Sequence, residues 1–262
     1  MLASLGEYLT LLQTNQGFSF NQVNSSSIAN RPNLASQYFV PAPSIPSASI
    51  ALDSTSPYGI PNTLSNPALL GGRFSCSSNS GVTVLIADLL SVSGGLVASV
   101  TTPQSTNLPT TPLTRYTNGN GVFAAVICHA TLGSAPVTIT ATYINQSGAT
   151  NITPATLFGS PSFTALGRLI LLPLASGDTG VQSVSSVTLS GSTGNSNTFG
   201  ILLFKPLALI GLNSYANDHQ IDAISTGNLV GAFAQALPNA CLGLITIGSA
   251  QSLNGTLFLS EV

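Results

Sequence analysis

From Gly81 onward the sequence takes on a period of two, and this rhythm limits the fold more than any other feature. Val137, Ile139, Ala141 and Tyr143 alternate with Thr138, Thr140 and Thr142, the pattern of a strand with one face buried and threonines on the other. The same reading predicts strands at Val82–Leu90, Val122–Ala130, Arg168–Leu174, Val181–Ser190, Thr198–Phe204, Leu242–Gly248 and Gly255–Leu259. Turn-forming groups separate them: Ser93-Gly94-Gly95, Asn118-Gly119-Asn120-Gly121, Ser147-Gly148, Ser176-Gly177-Asp178 and the run from Gly191 to Asn197. Seven or more short strands so divided predict a β-sandwich or jelly-roll-like body. A stretch of helical period, Asn228 to Leu237, is expected to pack at one end.

The first 75 residues read differently. Leu2, Leu5, Leu9 and Leu12 share one helical face, and Ser4 with Glu7 forms a capping box, so one short helix is expected within residues 1–13. From Thr14 to about Ser75, Asn, Ser and Pro dominate, and seven of the sixteen prolines lie between Pro32 and Pro67. That excludes a regular helix or central strand over most of the stretch. The chain is therefore expected to be all-β: an extended N-terminal arm with one short helix over 1–75, and a sandwich body over 76–262. The arm's large aromatics Phe18, Phe20, Tyr38, Phe39 and Tyr58 are the expected anchors on a partner, because aromatic side chains supply much of the energy at interfaces. The alternative is that they cover the chain's own sandwich.

Charge decides which partners such a chain can have. Five basic and seven acidic residues make up 5% of the 262, against about 25% in an average soluble domain. With Lys205 as the single lysine, there is no electrostatic footprint for a nucleic-acid backbone. The mean hydropathy of +0.42 invites a membrane reading. The longest apolar stretch, Phe199 to Leu212, is however broken by Lys205 and Pro206 and falls short of the roughly 18–20 residues of a spanning helix. No basic residue precedes Arg31, so neither a secretory leader nor a membrane location is expected. A soluble chain with so little charge is expected to hide much of its surface in an assembly, since interface cores are depleted of Lys, Glu and Asp.

The residues that carry chemistry are few and scattered. Cys76, Cys128 and Cys241 are odd in number and far apart, which reads as buried small residues rather than a disulfide framework or zinc site. Asp178-Thr179-Gly180 matches the tripeptide of aspartic proteases, but Ala175-Ser176-Gly177 precede it where apolar strand residues belong, so an Asx-type turn is expected. His219, between Asp218 and Asp222, lacks further metal ligands nearby and is expected in a solvated loop. His129 directly follows Cys128 in an apolar strand, and neighbouring strand residues point to opposite faces, so the two form no dyad. Nothing pairs the carboxylates of Asp88, Asp178, Asp218 and Asp222 as a glycosidase would require. Neither catalysis, nor a cofactor, nor a metal is expected.

Several segments resemble virion structural proteins of tailed bacteriophages and prophages. They are Asp88-Leu89-Leu90-Ser91 through Gly94-Gly95-Leu96, the run Val100 to Pro109, Leu113-Thr114-Arg115-Tyr116 with Gly119 to Val122, Thr142 to Gly148, and Leu172-Pro173-Leu174 with Ser176 to Val184. The resemblance spans roughly residues 80–210, with a weaker echo at Ala240-Cys241-Leu242. Its first segment carries leucine and serine where the family has aromatic and charged residues. The resemblance implies a non-enzymatic, β-rich particle component located in the virion and assembled in the bacterial cytoplasm. Within that family the expected role is a capsid decoration or cement protein. Such a protein associates with itself, as in a trimer, and with other virion proteins such as the major capsid protein. The alternatives are a neck, tail or fibre component, or a receptor- or carbohydrate-binding module.

Overall fold

The structure, a computed structural model, describes residues 16–23, 46–60, 67–76, 82–159, 167–212, 219–222, 236–248 and 252–261. Among these there is no helix, and the described part of the chain is all-β. The first strands are β1 (Gln16–Val23), β2 (Ile50–Ala51), β3 (Pro67–Cys76), β4 (Val82–Val92), β5 (Leu96–Val97), β6 (Phe123–Cys128), β7 (Val137–Asn145) and β8 (Thr150–Ile152). Then follow β9 (Thr156–Phe158), β10 (Leu169–Leu172), β11 (Val181–Leu189), β12 (Thr198–Leu212), β13 (His219–Asp222), β14 (Leu242–Gly248) and β15 (Ser252–Glu261). The helix expected within 1–13 and most of the helical stretch expected at 228–237 fall outside the described residues. Ala236 and Leu237, which are described, are not helical.

The body is a β-sandwich of two antiparallel sheets. One has the order β10-β6-β12-β4-β14, with β2 added on β4 and β5 on β12. The other has the order β11-β7-β8, with β9 also on β7. Between them, Val122, Ala124, Val126 and Cys128 interleave with Phe199, Ile201 and Leu203, and all face Ile139, Ala141, Tyr143, Val184 and Val187. Phe158 of β9 and Phe199 of β12, both fully buried, meet across the gap with ring centroids 5.0 Å apart. In β7 burial alternates along the whole strand, as its threonines predict. The larger sheet departs from that rule. Residues 86–94 and 124–129 are buried on both parities, so this sheet is covered on two faces, as a near-continuous apolar run requires.

Its second face carries Ala87, Leu89, Ala125, Ile127, Leu202, Phe204, Cys241 and Ile245, together with Leu52 and Tyr58 from the expected arm. The stretch 46–60 is thus part of the body. The Leu52 amide donates to the Leu90 carbonyl at 3.0 Å, and the Ile60 amide to Leu242 at 2.6 Å. Prolines are compatible with this, because two-residue pairings and single bridges leave most amides outside any ladder.

Strand β12 runs on past Phe204, where the sequence predicts its end, and through Pro206. Its pairing with β6 stops at Phe204↔Phe123, and from there β12 has β4 alone as neighbour. The register shifts between Pro206 and Ala208, so Pro206 lies at a bulge on a one-sided segment, where a missing amide is tolerated.

A third sheet has the order β1-β15-β3-β13. Strand β3 leads through 77–81 into β4, β12 leads through 213–218 into β13, and β14 leads through 249–251 into β15. The order β13-β3-β15 therefore repeats the order β12-β4-β14 of the body. His219, expected in a solvated loop, opens β13 and pairs with Phe74. Pro67 is accepted in β3 as its first residue.

Candidate functional site

The ionised residues whose side chains the structure describes are Asp53, Asp88, Arg115, Arg168, Asp178 and Lys205, and among them Asp53 alone is exposed. Asp88 and Arg115 form a fully buried pair, 0% and 7% exposed. Arg115 Nε donates to Asp88 Oδ2 at 2.8 Å, and one terminal nitrogen donates to Oδ1 at 2.8 Å and to the carbonyls of Leu52 at 2.9 Å and Leu89 at 3.1 Å. The Cys241 amide adds a third donor to the carboxylate at 3.0 Å. Burial pushes the Asp88 carboxyl up, against the guanidinium and that amide, which hold it down. The pair ties β4, the 113–116 loop, the 46–60 stretch and the start of β14 into one polar knot.

Asp178 serves a second knot. Its carboxylate accepts from the Tyr143 hydroxyl at 2.5 Å, from Asn145 Nδ2 at 2.8 Å and from Asn151 Nδ2 at 2.8 Å. The sequence predicts an Asx-type turn here. The chain does turn, with the Asp178 amide donating to the Ala175 carbonyl at 3.1 Å, but the carboxylate reaches β7 and β8 instead of closing its own turn. The Tyr143 hydroxyl, followed by the two asparagine amides, holds this carboxyl below the usual range. Its contribution to stability is present above the ordinary carboxylate pKa of about 3.9 and fades as pH falls through the lower folded value. Asn145, so oriented, accepts from the amides of Ser147 at 3.0 Å and Ala149 at 2.9 Å. Asp178→Ala is expected to speed hydrogen exchange at those two amides, and unchanged protection there would contradict the knot.

Lys205 is tied down in the same region. Its Nζ donates to the Asn120 carbonyl at 2.9 Å and lies 5.5 Å from the centre of the Tyr116 ring. Asn120 belongs to the turn that crosses Thr179, whose hydroxyl donates to Asn120 Oδ1 at 3.0 Å. Gly119 sits at φ +70°, and a Cβ there would press on the Val181 backbone, so this Gly-Asn-Gly turn serves a close crossing of two chains.

His129, Cys128 and Cys241 sit in the packed interior. Burial pushes the Cys128 and Cys241 thiols up to about 12, which keeps them protonated and unreactive. His129 Nε2 lies 2.7 Å from the Ser93 carbonyl, an acceptor, so that nitrogen carries the proton in the neutral ring. Burial holds the His129 pKa below 6.5, outweighing the Ser93 bond. As pH falls below about 6.5 the unfolded chain takes up this proton first, so stability is full above that pH and declines below it, by at most ~1.4 kcal/mol per pH unit. His129→Gln is expected to flatten this decline in urea titrations between pH 7.5 and 5.5. An unchanged slope would contradict it.

With Asp88, Arg115, Asp178 and Lys205 held in these contacts and Asp53 alone exposed, the described body presents mainly hydroxyls and amides. On the outer face of the smaller sheet, Thr138, Thr140 and Thr142 of β7 stand beside β11. Ser186 and Thr142 bond through their hydroxyls at 3.0 Å, and the Thr138 amide donates to Ser190 Oγ at 2.8 Å. Ile152 and Leu157, 61% and 45% exposed, lie directly opposite Thr142 and Thr138 and so share this face. The threonine row is legible from sequence, whereas the two aliphatic residues lie outside every strand predicted there. Of the expected anchors, Tyr58 is 5% exposed and packs on the larger sheet of its own chain. Phe18 and Phe20 occupy β1 opposite Leu257 and Gly255, and Tyr38 and Phe39 lie outside the described residues. Among the described residues no group of three or more His, Cys, Asp or Glu is placed to hold a metal ion.

No known protein family matches this sequence, and no curated protein matches it. Among solved structures, the chain is similar to the crystal structure of the infectious bursal disease virus VP2 subviral particle. That likeness has 12% identity and a TM-score of 0.19, over 95% of this chain and 81% of that one. It is also similar to T=1 particles derived from infectious bursal virus, at 11% identity and a TM-score of 0.18 over 95% and 77% of the two chains. At TM-scores this low the backbones do not superpose as one fold.

Proposed function

We propose that this chain is a non-enzymatic structural subunit of a tailed-phage virion, a capsid decoration or cement protein that acts by packing rather than by chemistry. The observation that carries the reading is the disposition of charge: across the described body, Asp88, Arg115, Asp178 and Lys205 are spent on internal contacts, which leaves Asp53 as the one exposed ionised side chain on an exterior otherwise of hydroxyl, amide and aliphatic groups. Such a surface gains little from steering by charge and much from dry, close contact with a matching surface. The partners are further copies of the chain and other virion proteins such as the major capsid protein. By binding the assembled shell and not its free subunits, the protein stabilises the shell through mass action. Asp178 and His129 hold strands together, a use that needs no substrate, cofactor or metal.

The test is the copy number of this chain in purified particles, by quantitative mass spectrometry of the intact virion. Hundreds of copies, in proportion to the shell protein, are expected. A ring or trimer's worth would move the role to the neck, tail or fibre. Absence from particles, together with affinity of the isolated protein for a glycan, would overturn the reading in favour of a binding module.

A further inference from the structure

We propose that β1 is an exchangeable strand: in the assembled oligomer it pairs with β15 of a neighbouring copy of this chain rather than with its own. The inference rests on the reading of the chain as an assembling subunit and specifies how copies are joined. Three of the four strands in the third sheet are bound to their own body by short links, through 77–81, 213–218 and 249–251. β1 has no such link. It connects to the body only through 24–45, a stretch whose covalent length, at ~3.3 Å per residue, reaches up to about 70 Å. The radius of gyration of a compact chain of this size is about 18 Å, so that length spans from one copy to the next.

The pairing itself is transferable. All eight residues of β1, from Gln16 to Val23, pair with one strand, Ser252 to Leu259 of β15, at the outer end of the sheet order. Every one of these backbone pairs is satisfied equally when the β15 belongs to an identical copy, which makes exchange a low-cost route to association. β1 also lacks the devices that guard a permanent edge. Its sequence, Gln-Gly-Phe-Ser-Phe-Asn-Gln-Val, holds no charge and no proline. A β15 edge left bare by one copy is thereby completed by the next.

Disulfide trapping in the assembled full-length protein tests this. With Cys76→Ser to remove the thiol opposite Leu253, two register pairs are made: Ser19→Cys with Thr256→Cys, and Gln22→Cys with Leu253→Cys. They sample both kinds of antiparallel pair, so one of them suits a disulfide. After oxidation, denaturing non-reducing electrophoresis is expected to show dimers and higher ladders that collapse on reduction. Mixing Ser19→Cys chains with Thr256→Cys chains of different mass is expected to give the mixed dimer. Assembled protein whose disulfides close only within single chains would overturn the exchange and leave the structural reading standing. Protein that stays monomeric, with disulfides only within the chain, would overturn both. Failure of both pairs to form any disulfide would overturn the β1–β15 pairing and the proposal with it.

Discussion

Replacing Arg115 with methionine is expected to cost about 3–5 kcal/mol of unfolding free energy, because it strands a buried carboxylate. Asp88 is 0% exposed and keeps only the Cys241 amide as a donor once the guanidinium is gone. The same change frees the carbonyls of Leu52 and Leu89, so the 46–60 stretch loses its polar tie to β4. Adding Asp88→Asn is expected to recover part of the loss, since the amide oxygen still accepts from Cys241 and no charge remains. Urea titration of the single and double variants measures both effects. A loss below about 1 kcal/mol in Arg115→Met would mean that water or a shifted loop solvates Asp88.

Phe199→Ala is expected to cost a further figure of the same order, about 3–5 kcal/mol, by a different route. Phe199 is fully buried, and its contact with Phe158 joins the two sheets of the sandwich. A Cβ at Gly200 would meet the Ser93 carbonyl, so the backbone beside Phe199 is itself closely packed. Leu171→Ala, on a residue 52% exposed at the edge strand β10, is the matched control and is expected to change stability by less than about 0.5 kcal/mol. Equal losses at the two positions would contradict the placement of the core.

The sandwich was legible in the sequence where strand period and turn chemistry agree. The predicted strand Leu242–Gly248 coincides with β14, and the threonine alternation in β7 sets inside from outside. It was least legible where another force takes over from periodicity. β12 passes Pro206 because its second neighbour has ended there, a fact of pairing that no window of sequence contains. β3 begins on a proline and holds Gly71 and Gly72, so its propensity is poor and its place comes from β15 and β13 on either side. The site was legible only as a scarcity. That charge is rare is plain from composition, but its disposition is not. Arg115 finds Asp88 from 27 residues away, and Asp178 gathers Tyr143, Asn145 and Asn151 from 27 to 35 residues upstream. Tyr58 reads as an anchor either on a partner or on the chain's own sandwich, and it lies on its own sandwich because Leu52 and Ile60 on either side tie its stretch to the body.

Sedimentation velocity of the purified full-length protein, from micromolar to near-millimolar concentration and in low and high salt, tests most directly whether the charge-poor exterior is an interface. A defined oligomer is predicted that grows in with concentration and changes little with salt, because exposed charge contributes almost nothing to its contacts. A single monomeric boundary at every concentration, from a protein that also fails to co-sediment with particles, would contradict the account.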